Sequence, residues 1–167
     1  MKELRKPYYK VDGQEIMIRL LYTELKYDID FITWKTAQSI EDGKQKFEMQ
    51  TDEESADWIV RSIDEAVNAI KKSLKAYLPH RSRMRTNECE KRDSWDIHLI
   101  MEPGWQGDAE CLAVLMHRYV VDYVASQWYS MVKDADNVYY NVSADDTLSK
   151  IVDEARACDI EGVMFHL

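Results

Sequence analysis

With 167 residues the chain has the length of one ordinary domain, enough to bury roughly two thirds of its unfolded surface in a single core. Its 22 Lys and Arg stand against 31 Asp and Glu, and the net charge of -9 repels a phosphate backbone over most of the surface, which disfavours nonspecific nucleic-acid binding. No apolar run reaches the ~18 residues of a membrane helix. The basic start MKELRKPYYKVDGQE lacks the apolar stretch of a secretory signal, so the cytosol is the expected place.

Residues 1–13 read as an N-terminal lead-in that ends in the turn-like Asp12-Gly13. From Gln14 to about Ile40, apolar residues at Ile18, Leu21, Leu25, Ile29 and Ile32 recur at steps of three or four, with Ile40 following less regularly, which predicts one long amphipathic helix. Met17, Leu20, Tyr27, Phe31 and Trp34 widen its apolar arc, so that helix is expected to meet more than one neighbour, inside the monomer or across an interface.

A second helix is predicted from the capping-box pair Thr51 and Glu54 through the stripe Ile59, Ile63, Ala66, Ile70, Leu74 and Tyr77, ending at Pro79. Residues 80–93, HRSRMRTNECEKRD, have no apolar period and predict an exposed charged loop, longer than most connections.

The stretch SWDIHLIMEPGWQGD follows. Trp95, Ile97, Leu99 and Met101 alternate with Asp96, His98, Ile100 and Glu102, which predicts a strand with one buried face. Glu102-Pro103-Gly104-Trp105 has the residues of a type II turn. Asp108 then caps a third helix to about Lys133, apolar around much of its circumference and therefore the expected centre of the core. A fourth, short helix is predicted from Ser143 through Ala155, and residues 158–167 form an apolar tail.

The expected fold is one mainly helical domain over residues 1–167. It has three long helices, one short helix, and a short strand or β-hairpin between helices two and three.

Motifs for chemistry are sparse. His98 and Glu102 suggest an acid-base couple, but four residues along a strand span about 13 Å, too far for a direct hydrogen bond. His80, His98, His117 and His166 are scattered, and Cys89, Cys111 and Cys158 lack metal or redox spacing. Five glycines include no phosphate loop or nucleophile elbow. No catalytic residue, cofactor or metal is assigned on this basis.

Arg81, Arg83 and Arg85 alternate in the charged loop; they are either solvated charge or a contact for an acidic partner, a second copy of this acidic chain included. Trp105 beside its turn either plugs the core or anchors an interface.

Two stretches carry a resemblance: DWIVRSIDEAVNAIKKSLKAYL, and the unit WDIHLIMEPGWQGDAECLAVLMHRYVVDYVASQWYSMV. Their order of helix, strand, Pro-Gly-Trp turn and long aromatic-rich helix, over residues 14–157, resembles small helical virion-assembly proteins of tailed phages and prophages. The resemblance is one of architecture and composition, without a diagnostic motif.

It implies a noncatalytic head-to-tail connector, neck or tail-completion component that forms a homo-oligomer and docks on other virion proteins. The implied setting is the host cytoplasm and the virion. The ending EGVMFHL departs from the basic ending of such proteins, which puts a tail-mediated contact in doubt. The alternatives are a cytosolic helical adaptor that binds a protein partner and, third, a small enzyme in which His98, Glu102 and an arginine of the loop converge.

Overall fold

The computed structural model of the chain describes residues 8–39, 53–79, 93–132 and 136–157. Within them the fold is mainly helical with a three-stranded antiparallel sheet, in the order β1 (Tyr8–Asp12), β2 (Glu15–Leu21), α1 (Tyr22–Ser39), α2 (Glu53–Ser73), β3 (Ser94–Ile100), α3 (Ala109–Val132) and α4 (Asp136–Ala155).

Three expectations are corrected. The stretch from Gln14 to Ile40 is not one helix: its first third is β2, the central strand, with Ile16, Ile18 and Leu20 buried at period two. Residues 8–12 of the lead-in are its partner β1, joined across the tight Gly13-Gln14 turn in which Gly13 takes φ 61°. The fourth helix is not short. It begins at Asp136, a full two turns before Ser143, so the described residues contain four long helices rather than three.

β3 does lie between the second and third helices, yet its partner is β2 rather than an adjacent hairpin strand. It buries Trp95, Ile97 and Leu99 as the alternation predicts, and the Met101 amide extends the ladder to the Gln14 carbonyl at 2.8 Å. On the wet face Arg19 and Asp96 stand opposite each other and form a two-pronged pair at 2.7 and 2.8 Å. The strand-to-helix switch at Tyr22 is fixed from β3, because the Tyr22 amide donates to Asp93 O at 2.9 Å.

The other boundaries follow local chemistry. α2 ends at Ser73 in a 3-10 turn, Lys75–Tyr77, and Leu78 is extended, as a residue before proline must be (φ −79°, ψ 140°). Thr51 of the predicted capping box lies outside the described residues. The Trp105 amide donates to Glu102 O at 3.1 Å and Gly104 has φ 86°, which is the type II turn expected there. Asp108 caps α3, with Oδ1 accepting from the Glu110 amide at 2.8 Å.

α3 is the hub. α4 folds back on it as an antiparallel hairpin, with Tyr140 stacked on Tyr129 at 5.1 Å and the Ser143 hydroxyl donating to Asp122 at 2.6 Å. α2 also runs antiparallel to α3, with Trp58 against the Ala125, Trp128 and Tyr129 cluster and Glu65 accepting from the Tyr123 hydroxyl. α1 runs parallel to it: Asp28 meets His117 and, one turn on, Ile32 meets the same aromatic cluster. The sheet packs its apolar face into the main core with Leu25, Ile63, Ile70, Leu112, Met116 and Val120.

Candidate docking site

α1 buries Leu25 and Ile29 and leaves Tyr27, Phe31 and Trp34 64, 54 and 53 % exposed. At about 100° per residue these two sets occupy opposite sides of the helix. Three large aromatics at i, i+4 and i+7 therefore form one outward ridge, and Phe31 tips toward α3.

Large aromatics present about 150–250 Å² each, so three of them at these exposures leave roughly 350 Å² of aromatic surface in water. That equals the largest patch on a typical monomer, and such patches mark interaction sites.

Between α1 and α3 lies a recess of about 260 Å³, lined by Asp28, Phe31 and Ile32 on one side and His117, Arg118 and Val121 on the other. Each wall is one helix face, since 28, 31, 32 and 117, 118, 121 repeat at three and four. Val114, 48 % exposed, continues the α3 wall by one further turn.

Across the floor the His117 Nε2 and an Asp28 oxygen lie 2.7 Å apart, which crosslinks the two helices and fixes the width of the groove. The Arg118 side chain is 61 % exposed and its Nε is 3.7 Å from Asp122, so the guanidinium overhangs the groove without being locked.

Chemically the recess combines apolar walls, one histidine-carboxylate pair and one exposed guanidinium that is paired with Asp122. No hydroxyl or thiol nucleophile is among its lining residues. Such an arrangement suits the capture of apolar side chains flanked by acid.

On the α4 side of α3, Asp122 is buried and held by Ser143 and Arg118; burial raises its carboxyl above the ordinary range, against the opposing pull of these two partners. Cys111 is half-buried, and burial, with Glu154 and Asp108 nearby, pushes its thiol up, away from the reactive thiolate.

The residues singled out from sequence fall elsewhere. Arg81, Arg83 and Arg85 lie outside the described residues. Trp105 is half-buried against the core, its Nε1 donating to Glu154 O at 2.9 Å, and it does not line the recess. His98 pairs with Glu15 of β2 at 3.3 Å, as an exposed cross-strand pair.

His117 and Asp28, separated by 89 positions, were not linked by any sequence pattern. The ridge had a visible signal in Tyr27, Phe31 and Trp34, which already overfilled the apolar arc of a single-sided helix.

Among the described residues no group of His, Cys, Asp and Glu could hold a metal ion, and no helix is long and apolar enough to cross a membrane. Comparison with protein-family models, curated proteins and solved structures finds no match to this chain.

Proposed function

We propose that the protein is a noncatalytic assembly subunit that associates with copies of itself and docks on other proteins through the α1 ridge. The observation that supports this reading is the solvent exposure of Tyr27, Phe31 and Trp34 on one helix face. Exposed aromatics in one patch are the residue types that dominate the energy of protein interfaces when covered.

The virion of a tailed phage or prophage is the setting implied by the resemblance over residues 14–157. There the subunit acts as a connector, neck or tail-completion part, in the host cytoplasm and then in the particle.

Light scattering on the purified chain tests self-association. The expected species is heavier than the 19.7 kDa monomer, and Phe31→Glu shifts it to a folded monomer that melts like the wild type at dissociating dilution. A wild-type chain that stays monomeric at every concentration sinks the proposal. The virion setting is tested separately by the neighbouring genes, where capsid, portal or tail genes are expected.

The groove itself favours a second reading, an adaptor that receives a partner's amphipathic helix between α1 and α3. A monomeric chain that binds an apolar-acidic helical peptide, and loses it on Val114→Glu, supports the adaptor over the assembly subunit.

A further inference from the structure

A second exposed apolar patch lies on a different element. At the start of α4, Val138, Tyr139 and Val142 are 63, 65 and 63 % exposed. These residues lie on the outward side of α4, opposite the buried Ala144, Ile151 and Ala155.

The one aromatic side chain of the patch is braced from behind. Tyr139 meets Tyr140 edge-to-face at 5.1 Å, and Tyr140 stacks on the buried Tyr129 at 5.1 Å and 7°. Little side-chain freedom remains to be lost when a partner covers it.

We infer that the start of α4 in one copy seats in the α1–α3 groove of the next, a head-to-tail contact between two different faces. This rests on the self-association proposed above and names the surfaces that carry it.

The two faces match in three respects. α4 presents Val138 and Val142 at i and i+4, with Tyr139 beside them, the spacing by which an amphipathic helix anchors in a groove. The recess of about 260 Å³ has the volume of roughly eight waters, room for a large apolar side chain or two.

Charge is the second match. One turn beyond Val142, the exposed face of α4 carries Asp145, together with Asp146, which is paired with Lys150 at 2.6 Å. The groove offers the overhanging Arg118 and, one turn beyond Phe31 on α1, the exposed Lys35, while its own Asp28 is engaged by His117. Acid on the inserted helix therefore meets base on the receiving wall.

Area is the third. Tyr27, Phe31, Trp34 and Val114 on one side and Val138, Tyr139 and Val142 on the other contribute roughly 700 Å² of apolar surface together, a little under half of a standard interface of ~1,600 Å². An apolar centre of that share with a charged rim is the usual anatomy of a specific contact. A contact between unlike faces does not close on two copies; it continues to a third and ends as a ring or a filament.

Mixing two complementary variants tests this. Phe31→Glu spoils the groove and keeps the α4 patch; Val142→Arg spoils the patch and keeps the groove. Each alone is expected to be monomeric by light scattering, and the equimolar mixture to give a complex of twice the monomer mass with nothing larger. Both positions are exposed, so circular dichroism melts at the temperature of the dissociated, dilute wild type are expected; Trp34→Glu replaces Phe31→Glu should the latter melt early.

A Val142→Arg chain that still dimerises alone overturns the inference, because α1 then pairs with α1. So does a mixture that stays monomeric while the wild type assembles. A monomeric wild type removes the underlying self-association itself, which is a separate and recognisable result.

Discussion

Gly107 sits where a side chain has no room: a Cβ there would lie 2.4 Å from the Trp105 ring and 2.6 Å from the Glu154 carbonyl oxygen. That carbonyl already accepts the indole N–H, and the Glu154 carboxylate accepts the Asp108 amide at 2.6 Å. The turn into α3 is thereby fastened to the end of α4.

Gly107→Ala should force these groups apart at a cost of about 1–3 kcal/mol, as overpacking does. For a chain of this size that lowers the melting temperature by roughly 2–12 °C, readable by calorimetry. Trp105→Phe removes the donor together with half of the indole, so the hydrogen bond of about 1 kcal/mol is lost along with packing against the core.

Asp122 calls for a pH argument. Its folded carboxyl titrates above the ordinary value because burial disfavours the charge. The folded state therefore holds a proton that the unfolded state has released, and this group lowers stability as pH rises from the ordinary carboxylate range through its raised value.

Asp122→Asn can still accept from Ser143 and carries no buried charge. At neutral pH it should melt at or above the wild-type temperature, and the difference should vanish in acid. A wild-type advantage that grows with pH would reverse the assignment.

Of these residues the sequence revealed Trp105 and its turn, because Pro-Gly chemistry is local. It hid Asp122 with Ser143 and Asp28 with His117, because a pair joined across two helices leaves no trace in neighbouring positions.

Among the elements, β2 shows how a period can mislead. Ile18, Leu21, Leu25, Ile29 and Ile32 step by three and four, and so join a strand and a helix into one apparent stripe. Ile16, Ile18 and Leu20 carry the true alternation, and it is β1 and β3, distant or short in sequence, that supply the ladder on both sides.

β3 was legible because its alternation is clean and is bounded by a proline turn. The length of α4 was not, since Ser143 in its middle resembles a cap while its hydroxyl in fact serves Asp122.

The central position of β2 sets its energetics. Ile18 is fully buried, so Ile18→Ala should cost about 2–5 kcal/mol. The Arg19 and Asp96 side chains opposite are 42 and 44 % exposed, and Asp96→Ala should cost no more than about 1 kcal/mol despite the two short bonds. Denaturant midpoints of the two variants decide; equal losses would mean that the wet face of the sheet is covered in solution.

For the whole molecule, the net charge of -9 opposes association, and the proposed contact between the two apolar faces has to overcome it. Any contact made only by the folded chain stabilises it by mass action, which ties melting to concentration. Each tenfold rise in protein concentration within the associating range adds up to about 1.4 kcal/mol per contact.

That amounts to an upward shift of roughly 3–5 °C in the melting temperature of a chain of this length. The wild type should show this shift, while Phe31→Glu and Val142→Arg alone should melt at one temperature throughout. Their equimolar mixture should recover the dependence, since it restores one groove and one patch. A concentration-independent melt for the wild type would leave the ridge as exposed surface with no copy to cover it, whereas a dependence retained by both single variants would place the contact on some other face.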